Sequence, residues 1–364
     1  MRLKVGFVLL SARVRPIPST RVAVLNILPW LQADGIEPHI VFEPDAPTET
    51  PQLTLSAVAL RDQGFDVICF QKVSSPSVLA LVAELRGLGI KTVFMVCDVI
   101  DPRMAEATDA TVVISQHLKS LYPVALQGKL HVVHDGIERP EVVKTAWRED
   151  RGSAAKPLHA VLVNSGYLTS LPVLGLPPPW LRVSVIGAYP EHASRWHRLR
   201  ELQWRVRQQP GWAARLAMLR FLNHPGIDRL AWHPDRVYAQ LQGADIAIIP
   251  IATPGADQAG PQPQAWAVKS ENRLTLKMSI GLPVVATPIP AYRPVVEQGQ
   301  NGFLATTRTA WLECLQALRD PGLRYRMGIS ARASVVDRFS KESQAGLLAS
   351  LLRTVIDADH STRR

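Results

Sequence analysis

Apolar runs of strand length alternate with amphipathic, helix-like segments along most of the chain. Before residue 150, the apolar runs occupy 2–10, 38–42, 66–71, 91–97, 111–115 and 130–133. Between two of these runs, Ser75 and Pro76 open an amphipathic segment as residues at helix starts do. Short apolar strands that alternate with helices are typical of parallel sheets covered on both faces. We therefore predict a doubly wound α/β domain over residues 1–150.

The same alternation resumes after 149–157, a polar stretch of small residues that we interpret as a linker. Further apolar runs lie at 159–164, 183–187, 229–233, 245–250 and 284–286. They predict a second α/β domain over residues 157–342, followed by an amphipathic final helix over 343–360. Near the N-terminus, the pattern predicts one helix that is capped by Ser19, kinked at Pro29 and ended by Gly35.

The stretch 269–304 carries the densest group of candidate functional residues. A predicted helix over 273–280 ends at Gly281, and a buried strand over 284–286 leads into a loop that contains Pro290. Four cations or hydrogen-bond donors stand around the start of this helix: Lys269, Ser270, Asn272 and Arg273. Free backbone amides and the helix dipole favour an anion at a helix start. The sequence therefore predicts a phosphate-binding site there.

This stretch resembles the C-terminal half of the GT-B glycosyltransferases, in particular group 1 (family 4). Their pattern is a helix that ends in Gly-x-Pro-Val-Val-Ala, followed by an Asn-Gly-Phe-Leu turn. The matching residues are Gly281, Pro283, Val284, Val285, Ala286, Asn301, Gly302, Phe303 and Leu304, with further matches at Leu323-Arg324, Met327-Gly328, Ala331-Arg332 and Phe339-Ser340. The family commonly carries two glutamates eight residues apart, but Val268 and Leu276 occupy those positions here. The roles of that glutamate pair are therefore not carried over.

The resemblance implies a GT-B fold, in which two Rossmann-like domains face each other across a cleft and the final helix returns to the N-terminal domain. It also implies transfer of a sugar from a nucleoside diphosphate donor to an acceptor hydroxyl, with retention, without a metal ion and without a covalently bound cofactor. Lys269 and Arg273 would stabilise the leaving group as catalytic residues. The residues that would hold the donor diphosphate are Gly166, Ser270, Asn272, Leu274 and Pro290.

Candidate acceptor-side residues lie in the first domain. Asp98 follows an apolar run, at the strand end where open α/β sheets bind ligands, so we predict that it contacts the acceptor or takes part in catalysis. Capping of the following turn is an equally simple role for this carboxylate. Arg13 lies in the loop after the first strand, and Arg21 lies at the start of the helix that follows. The resemblance to GT-B proteins implies that this loop faces the interdomain cleft and that both arginines meet donor phosphates or an anionic acceptor, although a solvated basic loop explains them as well.

The composition indicates the cellular compartment and the kinds of partner. Three isolated cysteines indicate buried thiols in a reducing compartment, and no apolar run is long enough for a signal sequence or a membrane span, so we expect a cytoplasmic protein. A net charge of +10 indicates polyanionic partners such as a phosphorylated substrate or an anionic membrane. Residues 191–228 mix arginines with tryptophans, which suits a membrane surface or a solvated helical pair. No helix-turn-helix or zinc motif is present, so we do not expect nucleic acid as a partner.

Three hypotheses follow for the function. The first is a glycosyltransferase that acts on a glycan, a glycolipid or another precursor of cell-surface polysaccharide. The second is a nucleotide-sugar 2-epimerase of the same fold, which would need a cluster of acidic residues and histidines. The third is a non-catalytic protein that binds a nucleotide or a membrane. A nicotinamide dehydrogenase is disfavoured because no Gly-x-Gly-x-x-Gly follows the first strand.

Overall fold

The computed structural model describes residues 2–190, 195–253 and 264–362, with side chains for 2–190, 200–253 and 264–357. Contacts divide the chain into two units. Unit 1 consists of Met1–Glu138, Gly260–Asn272 and Asp337–Arg364, and unit 2 consists of Arg139–Ala259 and Arg273–Val336. No helix among the described residues combines the length and apolar character that crossing a bilayer requires.

Unit 1 contains a sheet of six parallel strands in the order β2-β1-β3-β4-β5-β6. The strands are β1 Leu3–Val8, β2 Ile36–Phe42, β3 Val67–Gln71, β4 Lys91–Val96, β5 Ala110–Val113 and β6 Leu130–Val132. The helices of this unit are α1 Pro18–Thr20, α2 Leu28–Ala33, α3 Ala57–Asp62, α4 Pro76–Gly87, α5 Pro102–Ala107, α6 Gln116–Ser120 and α13 Lys341–Thr362. The predicted doubly wound α/β architecture is confirmed for this unit.

The two faces of this sheet bury alternate residues of each strand, because successive side chains point to opposite sides. Phe7, Cys69 and Met95 pack on one face with residues of α2 and α13. Val8, Phe70 and Phe94 pack on the other face with residues of α3, α4, α5 and α6. Burial of the sheet on both sides explains why its central strands β3, β4 and β5 appear in the sequence as nearly continuous apolar runs.

The first helical segment of unit 1 differs from its prediction. It begins at Pro18, and Ser19 lies inside the helix rather than at its cap, since Ile17 occupies that position. After a π-helical turn over Arg21–Leu25, a separate helix, α2, begins at Leu28. Pro29 does not kink a continuous helix but lies in the first turn of α2, where its missing N–H costs no hydrogen bond.

Unit 2 also contains six parallel strands, in the order β12-β11-β10-β7-β8-β9. The strands are β7 Leu158–Val163, β8 Leu181–Gly187, β9 Ile227–Ala231, β10 Ile246–Ile249, β11 Val284–Ala286 and β12 Phe303–Leu304. Its helices are α7 Arg195–Arg207, α8 Gly211–Asn223, α9 Pro234–Gln242, α10 Asn272–Ile280, α11 Arg308–Ala317 and α12 Pro321–Val335. The first residue of α10 belongs to unit 1. The second predicted α/β architecture is thereby confirmed.

The end of α10 is fixed by a close approach to α12. A Cβ atom at Gly328 would lie 2.3 Å from the carbonyl oxygen of Gly281 and 2.3 Å from Cη2 of Trp147. No side chain fits at that separation, so position 328 requires glycine. Gly281 has φ of +89°, the left-handed conformation that ends helices and favours glycine. The C-terminal end of α10 is therefore held against α12, with its start at the carboxyl edge of the sheet.

Candidate functional site

The start of α10 lies beside the loop that follows β7. Arg273 is the second residue of α10, and its Nη1 and Nη2 atoms lie 3.5 Å from Asn164 Oδ1 and 3.4 Å from Ser165 Oγ. Both distances are long for N–H···O hydrogen bonds, and a guanidinium carries five N–H donors. These two weak contacts therefore orient Arg273 towards the loop and leave donors for an anion.

Gly166 follows Ser165 in that loop. A Cβ atom at Gly166 would meet only Asn164 Nδ2, at 3.6 Å, so the space beside this residue is open. The tight approach is at Gly187, the last residue of β8, where a Cβ atom would lie 2.6 Å from the carbonyl oxygen of Gly166. Gly187 therefore lets the β7 loop pack closely on β8, and this requirement was not evident from the sequence.

Leu274 and Pro290 occupy different parts of the same sheet edge. The Leu274 side chain is fully buried, so only its backbone N–H, one of the first in α10, is placed to meet a ligand. Pro290 is half-buried in the loop after β11. Thr287 of that loop accepts the N–H of Ile251 at 2.9 Å, which ties the loop to the chain that follows β10.

A buried lysine lies one turn into α10. The Lys277 side chain is 2% exposed, and its Nζ donates to the carbonyl oxygen of Arg273 at 2.7 Å. Burial, followed by the charge of Arg273, lowers the pKa of Lys277 to about 7. The charge inside the first turns of α10 therefore changes near neutral pH.

In unit 1, Asp98 is held in an ion-paired cluster at the carboxyl edge of the sheet. Lys72, which follows β3 with φ of +55°, places its Nζ 2.6 Å from Asp98 Oδ1 and 2.9 Å from Glu49 Oε1. Burial raises the pKa of Asp98, but the hydrogen bond and charge of Lys72 outweigh it and leave that pKa below its ordinary value. Asp98 is therefore an ionised carboxylate that can accept a hydrogen bond from a hydroxyl group.

Lys269 and its neighbours precede α10. Lys269 is half-buried, and its charge contributes to the lowered pKa of Asp98, so the structure brings these two predicted residues within electrostatic reach. The side chains of Ser270 and Asn272 hydrogen-bond to the carboxylate of Asp135. Two of the predicted phosphate-binding side chains are thus positioned by an acidic residue.

Asp135 belongs to a buried group of two carboxylates and one histidine. Glu271 is 1% exposed, and its Oε1 lies 2.7 Å from His134 Nδ1. Burial, followed by the charge of Glu271, raises the pKa of Asp135 to about 7, although the hydrogen bonds from Ser270 and Asn272 favour its ionised form. His134 and Asp135 of this group and Lys72 of the Asp98 cluster line one cavity at the sheet edge. The cavity is also lined by Gln71, Cys97 and Gln344.

Arg13 and Arg21 each contact a carboxylate of unit 1. Arg13 is exposed and pairs with Glu43, with Nη2 and Oε1 separated by 3.0 Å. Arg21 is less exposed and donates to Glu138 from Nε at 2.7 Å. An anionic ligand at either arginine would compete with that carboxylate.

Sequence reasoning missed Lys72, Asp135 and Glu271. Lys72 and Asp135 follow the ends of β3 and β6, the same position that led to the prediction of Asp98. Glu271 lies between two residues that were predicted, Ser270 and Asn272. A systematic list of polar residues after each predicted strand would have included the first two, because parallel strands end at one edge of a sheet.

Comparisons with known proteins reveal likeness in structure but not in sequence. No protein-family model and no curated protein matches the chain. A glycosyltransferase from Rickettsia africae is similar, with 12% identity, a TM-score of 0.63, and coverage of 98% of this chain and 99% of that one. HepE of Anabaena, solved with UDP-glucose, has 14% identity and a TM-score of 0.63 over 97% of this chain and 100% of its own. Sucrose-phosphate synthase of Thermosynechococcus elongatus has 13% identity and a TM-score of 0.64, and the match covers 98% of this chain and 100% of that one.

These likenesses define the fold of the chain. Two doubly wound units, each with six parallel strands, match glycosyltransferase structures over almost their full length. The chain has the GT-B fold, as the resemblance in its last third implied. At such low identity, its activity has to be argued from its own residues.

Proposed function

We propose that the chain is a glycosyltransferase that moves a sugar from a nucleoside diphosphate donor to an acceptor hydroxyl. The observation that carries this proposal is Arg273, which is set at the start of α10 and directed at the loop that contains Gly166. A guanidinium beside free helix amides is well suited to a diphosphate. HepE, which has the same fold, was solved in complex with UDP and with UDP-glucose.

Each predicted donor-side residue has a role in this reaction. The acceptor oxygen bonds to the anomeric carbon, the bond from that carbon to the diphosphate breaks, and the hydroxyl proton leaves on the released diphosphate. Lys269 and Arg273 stabilise the charge that grows on the leaving group. Hydrogen bonds to the diphosphate come from Ser270, Asn272 and the backbone amides of Gly166 and Leu274, and Pro290 stiffens the adjoining loop. We assign retention to this reaction, with the charge supplied by the protein's cations instead of a metal ion.

Asp98 is assigned to the acceptor. Its ion pair with Lys72 keeps the carboxylate charged and fixed in direction, so it can accept the hydrogen bond of the attacking hydroxyl. Arg13 and Arg21 are assigned to an anionic part of the acceptor, which would replace Glu43 or Glu138 as their partner.

The donor assignment is tested by Lys269→Ala and Arg273→Ala. Each variant should lower turnover by about 10²- to 10³-fold, the usual effect of removing a charge-stabilising donor. The measurement is release of nucleoside diphosphate from a panel of nucleotide sugars, and Arg326→Ala, at an exposed position of α12, is the matched control. Unchanged turnover in both variants would exclude the assignment. Binding by the parent chain without release over hours would instead indicate a non-catalytic protein.

The acceptor assignment is tested in the same assay by Asp98→Asn. This change removes the charge but keeps the shape, so transfer to the acceptor should decrease while slow hydrolysis of the donor by water persists. Equal loss of both reactions would place Asp98 on the donor side.

A nucleotide-sugar 2-epimerase is the second candidate, because the buried group of His134, Asp135 and Glu271 supplies the acids and histidine that this activity needs. The two activities differ in their products. An epimerase converts one nucleotide sugar to another and exchanges the proton on the epimerised carbon with solvent. Incorporation of deuterium from heavy water into the recovered nucleotide sugar, without release of nucleoside diphosphate, would favour the epimerase.

The acceptor is proposed to be a glycan or a lipid-linked precursor of cell-surface polysaccharide, and the chain to work at an anionic membrane face on the cytoplasmic side. The support comes from α7 and α8. Residues 191–194 of the predicted 191–228 segment, and the side chains of 195–199, lie outside the described residues. In the described part, Trp212, Leu216 and Leu219 stand at spacings of four and three residues on α8 and are 83%, 49% and 38% exposed.

Exposed basic residues lie on the same two helices as this exposed apolar face. Trp204 of α7 is also exposed, and so are Arg200, Arg207 and Arg220. On the opposite side of α8, Met218 and Phe221 are buried in unit 2. Apolar side chains flanked by arginines complement a membrane, since the apolar groups enter the headgroup region and the arginines meet anionic lipids.

A further inference from the structure

Asp135 and its neighbours interlock two segments of unit 1. Ser270 and Asn272 both hydrogen-bond to Asp135, and Glu271, between them, reaches back to His134 at 2.7 Å. The three residues 270–272 are therefore hydrogen-bonded to residues 134 and 135. A change in the hydrogen bonding of Asp135 therefore also changes the hydrogen bonds of Ser270 and Asn272.

The opposite side of the Asp135 segment is fixed by the start of α13. His134 N–H donates to Gln344 Oε1 at 2.8 Å, and Ile137 N–H donates to the carbonyl oxygen of Phe339 at 2.8 Å. A Cβ atom at Gly136 would lie 3.1 Å from Lys341 Cα, so the two segments are in close contact. Asp135 is thus held in place, and the residues before α10 are positioned against it.

Several charged or titratable groups surround the Asp135 carboxylate. Glu271 and His134 act on it directly, and Cys97 at the end of β4 interacts with it. Lys72 lines the same cavity, and Lys341 lies beside Gly136 on the α13 side. Two carboxylates buried together repel each other when both are ionised. A further negative charge nearby adds to that repulsion.

We propose that Asp135 is a positioning residue for the start of α10 and takes up a proton when a nucleoside diphosphate sugar binds there. The inference rests on the proposed function, because it requires the donor diphosphate at Ser270 and Asn272. Protonation removes one negative charge next to the diphosphate. The new O–H of Asp135 donates to the side-chain oxygen of Ser270 or Asn272, so those side chains stay in place and turn their own donors to the ligand.

Calorimetric binding of UDP-glucose, ADP-glucose and GDP-mannose at pH 6 and pH 8.5 tests this coupling. The parent chain should bind its preferred donor about tenfold more weakly at pH 8.5, since a coupling of one pKa unit is a factor of ten in affinity. At intermediate pH, buffers with different ionisation heats should reveal proton uptake. Asp135→Asn should bind equally at both pH values and take up no proton, whereas Glu271→Gln should shift the pH dependence to lower pH.

Two further variants test whether the pH dependence of donor binding comes from Asp135 or from another group. Asp62→Asn, at an exposed position of α3, should behave like the parent chain. Lys277 titrates in the same pH range. A pH dependence that persists in Asp135→Asn but disappears in Lys277→Met would overturn the proposal, as would pH-independent binding by the parent chain. Failure of the parent chain to bind any of the three donors would overturn the proposed function as well.

Discussion

Lys277 shows how a single side chain can carry a pH-dependent cost. Its ammonium is buried, and burial together with the charge of Arg273 lowers its pKa to about 7 from an ordinary 10.5. The folded state therefore disfavours the charged form. The cost is fully present below pH 7, where the ammonium is charged in the folded and unfolded chains alike, and it declines as pH rises from 7 towards 10.5.

Replacing Lys277 with methionine, which has a similar volume and no charge, should remove this cost. We expect Lys277→Met to be more stable than the parent chain by about 1–4 kcal/mol at pH 6.5, with a smaller difference at pH 9.5. The comparison is made by urea unfolding at the two pH values. Lys156→Met, at an exposed lysine, should leave the pH dependence unchanged. The same pH dependence in Lys277→Met as in the parent chain would contradict this explanation.

Some residues of the candidate site could be predicted from the sequence and others could not, for physical reasons. Asp98 and the residues before α10 were predicted from their position, because strand ends and helix starts can be located from apolar patterns. Lys72, the partner of Asp98, has a positive φ, which the sequence does not indicate for a lysine. Lys277 resembled an ordinary helix lysine, since nothing in the sequence revealed that α10 is buried on nearly all sides.

At the scale of elements, α8 has two apolar faces with different surroundings. Met218 and Phe221 face the core of unit 2, while Trp212, Leu216 and Leu219 are exposed. A helix of a soluble domain normally needs only the first face. The exposed face is the observation that supports the proposed contact with an anionic membrane.

Loss of this face should weaken membrane binding without affecting the fold. We expect Trp212→Ser with Leu216→Ser to reduce co-sedimentation with vesicles that contain anionic phosphatidylglycerol by about tenfold or more, because two apolar side chains no longer enter the lipid. The matched control is Val124→Ser with Ile329→Ser, at positions of similar exposure, 85% and 52%. Equal loss in the control, or no binding of the parent chain to anionic vesicles, would exclude the membrane proposal.

Strands were predicted more reliably than short helices. A strand buried on both faces needs a continuous apolar run, and this requirement marks its place in the sequence. The segment 18–33 was predicted as one kinked helix because its apolar residues repeat at helical spacing. Its division into α1, a π-helical turn and α2 depends on packing against the sheet, which local sequence does not specify.

At the scale of the whole molecule, the fold is shared with proteins that are only 12–14% identical over nearly the entire chain. Two sheets of parallel strands, each packed against apolar cores, tolerate this divergence. The reason is that a core requires apolar side chains of suitable volume more than particular residues. Function depends on fewer positions, and these differ from the family pattern at Val268 and Leu276. The chain must therefore hold its donor by other groups if the proposed function is correct.

Binding of a nucleoside diphosphate should stabilise the whole chain by mass action. UDP, GDP or ADP, whichever is the product, should add about 2.7 kcal/mol at 100 times its dissociation constant. The unfolding midpoint should rise by several degrees in a thermal scan with that nucleotide. Arg273→Ala should show little or no rise, whereas Arg326→Ala should match the parent chain. An equal rise of the unfolding midpoint in Arg273→Ala would show that Arg273 does not contribute to nucleotide binding.

The place of α13 in unit 1 has a consequence for how the chain is made on the ribosome. Phe7 and Cys69 share a core with Ala345, Leu348 and Leu352. One face of the N-terminal sheet is therefore covered only after residues about 275 to 345 positions further along the chain have been translated. At usual elongation rates, this delay is roughly 15 to 70 s. During that time, unit 2 can fold while the nascent first sheet exposes an apolar surface to chaperones.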